Sequence, residues 1–348
     1  MNERRLPAEW ERHRATLISL PHNKEDWPGK FQPIPWVYVE IVRKLTPGEM
    51  IYIIVHSKQA EYKFRKMLSK AGVDLKRLKF FKFQTNRSWM RDTSPAFIKK
   101  VNEKGEEVSA VRFYFNAWAK YSNWKKDLKI PDLLTSRLNM AMEDVFFNSS
   151  RVVIEGGALD KNGSGILLTT EECLMDEITQ VRNPGFTKAD YEAVFRDFLG
   201  IRKVIWLNKG IAGDDTHGHV DDLARFVSRN TIVLCRESNV KDENYKILEE
   251  NYERLQNESL ENSEKLNIIS LPMPKPITFE GMRLPASYAN FYIGNEVVLV
   301  PTFNDKNDRI ALGILSELFP EREVVGIHAV DLVWGLGTIH CLTHEIPE

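Results

Sequence analysis

The chain has 348 residues, 43% hydrophobic and 28% charged, with 48 Lys plus Arg against 49 Asp plus Glu and a net charge of −1. That balance excludes a nucleic-acid binder working through a basic face and a polybasic membrane binder, and no uncharged apolar run approaches the ~20 residues of a bilayer span. Cys173, Cys235 and Cys341 are an odd cysteine count and read as reduced thiols of a cytoplasmic protein, while the opening MNERRLPAEWERHR lacks the apolar core of a secretory signal.

Short apolar runs alternate with amphipathic stretches, which predicts an α/β fold. A strand is expected over 50–56, a helix over 58–70 and a strand over 78–83. A hairpin follows, with arms at 96–101 and 108–115 around Asn-Glu-Lys-Gly. Next come strands over 151–155 and 166–169 around a turn rich in Asp, Asn and Gly, a helix over 188–199 and a strand over 203–207. The order repeats as 223–227 and 231–235, a charged helix over 243–261 and a strand over 266–271. It repeats again as 288–293 and 296–300, a helix over 307–318 and a strand over 323–330. A ββαβ order therefore recurs at least three times without sequence identity between copies. It is compatible with pseudosymmetric units about an axis or with a two-lobed arrangement. No Pro/Ser-rich linker interrupts the chain, so one domain over 1–348 is expected.

Four segments lie at or near predicted strand ends, where loops of α/β folds bind ligands. They are Ser88-Trp89-Met90-Arg91-Asp92, Ile154-Glu155-Gly156-Gly157, the stretch from Asp214 to Asp222, and Gly335-Leu336-Gly337-Thr338-Ile339-His340-Cys341. A Gly-rich bend that delivers a cysteine to the end of a chain is unusual, since tails are normally polar and frayed. Cys341 alone reads equally as a small buried hydrophobe. Cys173 and Cys235 fall inside predicted strands and read as core. His217, His219 and Asp221 alternate, so an extended segment presents them on one face in a pattern resembling metallo-hydrolase ligands. The other histidines form no second cluster, and the competing reading pairs His219 with the Asp221 carboxylate. Asp92 is either half of an exposed pair with Arg91 or a site carboxylate, and Glu155 either opens a turn or ends a strand at the site.

A thiol, a histidine and two or three carboxylates suit one chemistry well. A thiolate is a strong nucleophile, a histidine can protonate a leaving amine and then activate water, and carboxylates hold a cation. Carboxylates beside a thiolate raise its pKa unless the substrate brings positive charge. A guanidinium does bring it, in a planar fork matched to carboxylates.

The ordered stretches Trp-Met-Arg-Asp-Thr-Ser-Pro, Glu-Gly-Gly, Gly-His-Val-Asp and Ile-His-Cys-Leu-Thr resemble the agmatine deiminase/bacterial peptidylarginine deiminase family of guanidino-group-modifying enzymes. Pro7-Ala8-Glu9-Trp10, Phe115-Asn116-Ala117-Trp118, the run from Leu168 to Leu174, Arg182-Asn183-Pro184 and the run from Pro285 to Tyr292 extend the resemblance over nearly the whole chain. It implies a five-bladed pseudosymmetric α/β propeller of ββαβ units (the pentein fold), with no metal and no organic cofactor. It also implies Cys341 as nucleophile, His219 as general acid/base, Asp92 and Asp221 as the guanidinium clamp, and Glu155 as support for His219. Two stretches depart from the family pattern: Leu336 interrupts the glycines and His344-Glu345 follows the cysteine, while Ala119-Lys120-Tyr121 follows Trp118.

Agmatine ends in a bare amine and calls for an acid or an aromatic face, whereas free arginine calls for paired arginines. Trp89, Trp118, Asp214, Asp215 and Glu345 surround the four segments, where Arg91 is the only arginine. The expected substrate is therefore the small guanidine agmatine, bound with help from Trp89, Trp118 and Asp215, in a cytoplasmic enzyme of putrescine biosynthesis. Protein citrullination is the alternative, then a metal-dependent amidohydrolase using His217, His219 and Asp221, or a non-catalytic binding module. No nucleic-acid or membrane partner is expected, and a homodimer is compatible with the sequence without being required by it.

Overall fold

The computed structural model describes residues 3–102, 105–260 and 264–348. Five sheets of three or four strands among them share one arrangement, an antiparallel pair followed by a parallel neighbour. In one, Asp160–Lys161 runs antiparallel to Ile166–Thr170, which runs parallel to Lys203–Leu207. Ala224–Phe226, Thr231–Arg236 and Asn267–Pro272 repeat it, and so do Tyr292–Ile293, Val297–Thr302 and Glu323–His328. A fourth sheet contains Thr343–Pro347, His13–Ser19, Met50–Val55 and Leu78–Lys82. The fifth contains Glu3–Arg5, Ala96–Asn102, Gly105–Arg112 and Met142–Asp144.

Parallel neighbours need a crossover, and a helix supplies it in each sheet. These helices are Ile34–Leu45, Ile130–Leu138, Lys188–Val194 with its continuation Phe195–Leu199, Glu243–Gln256 and Lys306–Leu318. Their starts are written locally. Asp305 and Asp308 form a reciprocal capping box, and Asp242 caps the helix after it, each such cap stabilising by about 1 kcal/mol. Thr231–Arg236 and Val297–Thr302 bury all but their last residue, as expected of strands covered on both faces. No helix among the described residues is long and apolar enough to cross a membrane.

The mixed α/β expectation stands, and the ββαβ order occurs in five places. One copy is hard to see in the sequence because it joins the two ends of the chain, with His13 opposite Pro347. Another closes on a last strand of only three residues, Met142–Asp144. Several expected elements need correction. The 151–155 run is not the partner of Ile166–Thr170; Asp160–Lys161 is, because Gly156–Ala158 forms a tight turn that ends the earlier run. The second hairpin arm is Gly105–Arg112 rather than 108–115, and residues 103 and 104 of its turn lie outside the described residues. The charged helix stops at Gln256, with Asn257 bonding back to Arg254 and Glu253; residues 261–263 lie outside the described residues. Only Tyr292–Ile293 of the run 288–293 is strand. Cys173 is not in a strand: Thr170 ends the strand and its hydroxyl accepts from the Cys173 N–H, starting the short helix Glu171–Met175.

The sheet that joins the chain ends also carries a pH-sensitive residue. The ring of His344 packs 5.4 Å from that of Phe97, and its Nδ1 has no hydrogen-bond partner among the described residues. Burial, then the nearby Arg91 guanidinium, push its pKa down to about 3. The folded value lies below the unfolded one, so the unfolded chain takes the proton first and stability is lost as pH falls from about 6.5 towards 3. The loss reaches about 2 kcal/mol by pH 5. His344→Gln is expected to shrink the drop in Tm between pH 7 and pH 5. A drop as steep as in the unchanged protein rules His344 out as its source.

Candidate active site

The four segments singled out in the sequence converge. Asp92 sits on the short helix Met90–Thr93, Glu155 before the tight turn Gly156–Ala158, His219 and Asp221 around the turn Val220–Asp222, and Cys341 on the short helix Ile339–Leu342. All five side chains are buried. Cys341 Sγ lies 3.8 Å from Asp221 Oδ2, His219 Nδ1 4.0 Å from Asp92 Oδ1, and His219 Nε2 3.5 Å from Glu155 Oε2. Gly157 threads between them, its N–H donating to Asp92 Oδ1 at 2.9 Å. A Cβ there would meet His219 Nδ1 at 2.5 Å, Asp92 Oδ1 at 3.0 Å and Asp221 Oδ2 at 3.1 Å. The Glu-Gly-Gly sequence is thus explained by close approach rather than by a turn alone.

Backbone strain aims a second donor at the same carboxylate. Ala117, Trp118 and Ala119 all hold positive φ (56°, 58° and 52°), a left-handed turn of three residues without glycine. Such a conformation costs about 1–2 kcal/mol per residue. Asn116 Oδ1 accepts from the Ala119 N–H at 2.8 Å and steadies the turn, which delivers Trp118 Nε1–H to Asp92 Oδ2 at 2.9 Å. Leu336 is left-handed too, with φ 68°. The family departure therefore falls where glycine would be unstrained, beside Gly337, where a Cβ would crowd Cys341 and Trp89.

The charges are arranged around an unmet cation. Burial and then the like charges of Asp221 and Asp222 push the Cys341 thiol well above its usual pKa. Burial, with Asp221 and Glu155 behind it, also raises Asp92. Burial disfavours a charged His219, yet Asp92, Cys173 and Glu155 outweigh it and hold the imidazolium to well above the usual pH. Glu155 is drawn down to about 2 against its burial by the Arg182 guanidinium, whose Nε lies 3.3 Å from both oxygens, and by His219. Asp221 is held below its usual range, again against burial, by His340 Nδ1 at 2.6 Å from Oδ2. Its other oxygen, Oδ1, is buried without a partner among the described residues.

A cavity of about 420 Å³ opens onto this cluster, lined by Cys341, Asp92, Trp89, Trp118, Tyr121, Asp215, Arg87, Asp26 and Glu25 among others. Trp89 stacks on Trp27, ring centres 5.4 Å apart. Asp215 reaches the cavity as expected but is already engaged, by Lys120 Nζ and the Tyr121 hydroxyl, each at 2.6 Å. Asp214 instead shapes the histidine loop by accepting from the N–H groups of Gly218 (2.7 Å) and His219 (2.9 Å). Glu345 faces away, paired with Arg91 and Lys161.

The arrangement His217, His219 and Asp221 needed for a metal is not present. His217 adopts φ 65° and turns its Nε2 to Asp176 Oδ2 at 2.8 Å, because the left-handed backbone breaks the alternation of an extended segment. The described residues do gather Glu155, Cys173 and His219 with potential ligand atoms within 4.8 Å. Arg182 already supplies the cation that this carboxylate balances, so the donor set fits a metal poorly. Cys173 is buried as expected, but beside the histidine rather than in a remote core. Sequence reasoning missed Arg182, His340 and Glu9. The last takes His340 Nε2 at 2.8 Å and Arg91 Nη2 at 3.0 Å, fixing the floor beneath Asp221. Their only signal was membership in the longer resembling stretches.

A model of the Porphyromonas-type peptidyl-arginine deiminase family matches residues 5–347. A curated Latilactobacillus sakei protein, provisionally named agmatine deiminase, is 32% identical, with 99% of this chain and 96% of that protein covered. Among solved structures, a substrate-bound cysteine-to-serine variant of C. jejuni agmatine deiminase superposes with a TM-score of 0.88 at 29% identity, over 100% of this chain and 97% of that one. Enterococcus faecalis agmatine deiminase, solved while catalysing its reaction, gives 0.88 at 27% identity, over 99% and 96%.

Proposed function

The chain belongs to the Porphyromonas-type peptidyl-arginine deiminase family, and from that premise we propose that it is an agmatine deiminase, hydrolysing agmatine to N-carbamoylputrescine and ammonia. The observation that carries this reading is one thiol set 3.8 Å from a buried carboxylate that keeps an unpartnered oxygen, with a second carboxylate lining the same cavity. The protein gives these carboxylates no arginine or lysine of their own, and a substrate guanidinium fits that need.

Asp92 and Asp221 clamp the guanidinium, whose charge lowers the pKa of the Cys341 thiol that the same carboxylates had raised. The thiolate attacks the central carbon. His219, as imidazolium, gives its proton to the departing nitrogen, so ammonia leaves and a thiouronium-type adduct remains on Cys341. Neutral His219 then takes a proton from water as the water attacks, the C–S bond breaks, and the ureido product departs. Glu155, anchored by Arg182, steadies the His219 ring through both halves. The five sheets of common order support a five-bladed propeller as the arrangement of the units, forming one catalytic domain. Free thiols and the product chemistry support a cytoplasmic place in putrescine biosynthesis, with a homodimer left to direct measurement.

Initial rates on agmatine, free arginine and a blocked arginine peptide test the substrate. Agmatine is expected to lead by at least about tenfold in kcat/KM, because the cavity wall offers Trp89, Trp118 and acids rather than paired arginines. Arg87, the arginine that does line the cavity, is engaged by Asp26 at 2.7 Å and Asn123 at 3.1 Å. A peptide that outpaces agmatine moves the assignment to protein citrullination and leaves the Cys341 chemistry standing.

A further inference from the structure

Asn290 lies just before the strand Tyr292–Ile293 and is fully buried beneath the short helix Ile339–Leu342. Its Oδ1 accepts from Thr338 Oγ1 at 2.7 Å, the His340 N–H at 3.1 Å and the Cys341 N–H at 3.4 Å. Its backbone carbonyl accepts from the same His340 N–H at 3.1 Å. Those donors settle which end of the carboxamide is oxygen, since a reversed amide would set its NH₂ against two backbone N–H groups. The NH₂ is therefore the end that faces the nucleophile, with Nδ2 donating to Cys341 Sγ at 3.2 Å.

From this geometry we propose that Asn290 is a catalytic residue, whose side-chain N–H stabilises the Cys341 sulfur as a thiolate while its oxygen fixes the turn that presents it. The inference rests on Cys341 being the nucleophile. Both forms of the sulfur find a partner: a thiol S–H can donate to Oδ1 at 3.5 Å, and a thiolate accepts from Nδ2. Asp92, Asp221 and Asp222 all press against the negative charge, and the amide is the side-chain donor placed to offset them. Hydrogen bonds to charged groups are the stronger kind, and a thiolate beside three carboxylates gains most from one.

The test is the pH dependence of Cys341 alkylation by iodoacetamide without substrate, followed by mass spectrometry of the Cys341 peptide. Asn290→Ala and Asn290→Asp are compared with the unchanged enzyme. Aspartate keeps an oxygen for Thr338, His340 and Cys341 and replaces only the donor, so it preserves the turn and remains informative if alanine does not fold. Asn290→Ala is expected to slow alkylation near neutral pH by about tenfold, moving its inflection up by about one unit, and Asn290→Asp by more. Turnover should fall in the same order. Folded variants whose alkylation profiles overlay that of the parent overturn the proposal, even if turnover drops. Failure of Cys341 itself as nucleophile reads differently, as an active Cys341→Ser enzyme.

Discussion

Cys341→Ser is expected to abolish ammonia release from agmatine, a loss of at least about 10⁴-fold, with little change in Tm. Serine nearly matches the thiol in size, so the helix Ile339–Leu342 keeps its packing. Its hydroxyl, however, ionises far less readily than a thiol, and no neighbouring base is placed to activate it: His219 is held as the imidazolium by Asp92, Cys173 and Glu155. Cys235→Ser provides the contrast. That thiol is fully buried, hydrogen-bonded with the Ser287 hydroxyl at 3.3 Å, and pushed up to about 12 by burial. It should touch stability alone. Ammonia release measured for both variants, together with the mass of the adduct trapped on the parent enzyme, decides the matter. A Cys341→Ser enzyme turning over at the parent rate would falsify covalent catalysis.

Removing either clamp carboxylate should cost about 10²-fold or more in kcat/KM, since each lost charge-assisted contact also misaligns the carbon under attack. The two variants differ in detail. Asp92 accepts from Trp118 Nε1 and the Gly157 N–H on separate oxygens, so Asp92→Asn turns an NH₂ towards one of these donors. Asp221→Asn can keep its oxygen for His340 and loses mainly charge. Asp221 is also the foremost of the charges that hold the thiol protonated, so its removal should make Cys341 alkylate faster without substrate while turnover collapses. Opposite movements of these two rates are hard to obtain from general damage to the fold. Near-parent turnover in both variants places the guanidinium elsewhere.

The groups that do chemistry were legible because few structural roles need a thiol, a histidine and clustered carboxylates in separate ordered motifs. Their supports were not. Arg182 and Asn290 are residue types with many structural uses, and only three-dimensional placement shows one on Glu155 and the other on the sulfur. Asp215 looks free in the sequence because Lys120 and Tyr121, almost a hundred positions away, leave no mark near it. Cys173 departs from its expected strand for a different reason. The apolar run through Leu174 has no period that shows where a strand ends, and the change of direction depends on one hydroxyl cap at Thr170. The strands at 13–19 and 343–347 were missed because each makes sense only beside the other.

That last pairing has a temporal consequence. During synthesis, every carboxylate of the site and His219 leave the ribosome long before Cys341, and the strand Thr343–Pro347 that follows the cysteine must find His13–Ser19, made at the very beginning. Contacts so distant along the chain are the slow ones to form. A growing or partly folded polypeptide therefore carries an anionic pocket without an aligned nucleophile, able to attract a guanidine but not to react with it. Reactivity arrives with the final long-range contact, so the appearance of turnover during refolding is a clock for the joining of the two ends.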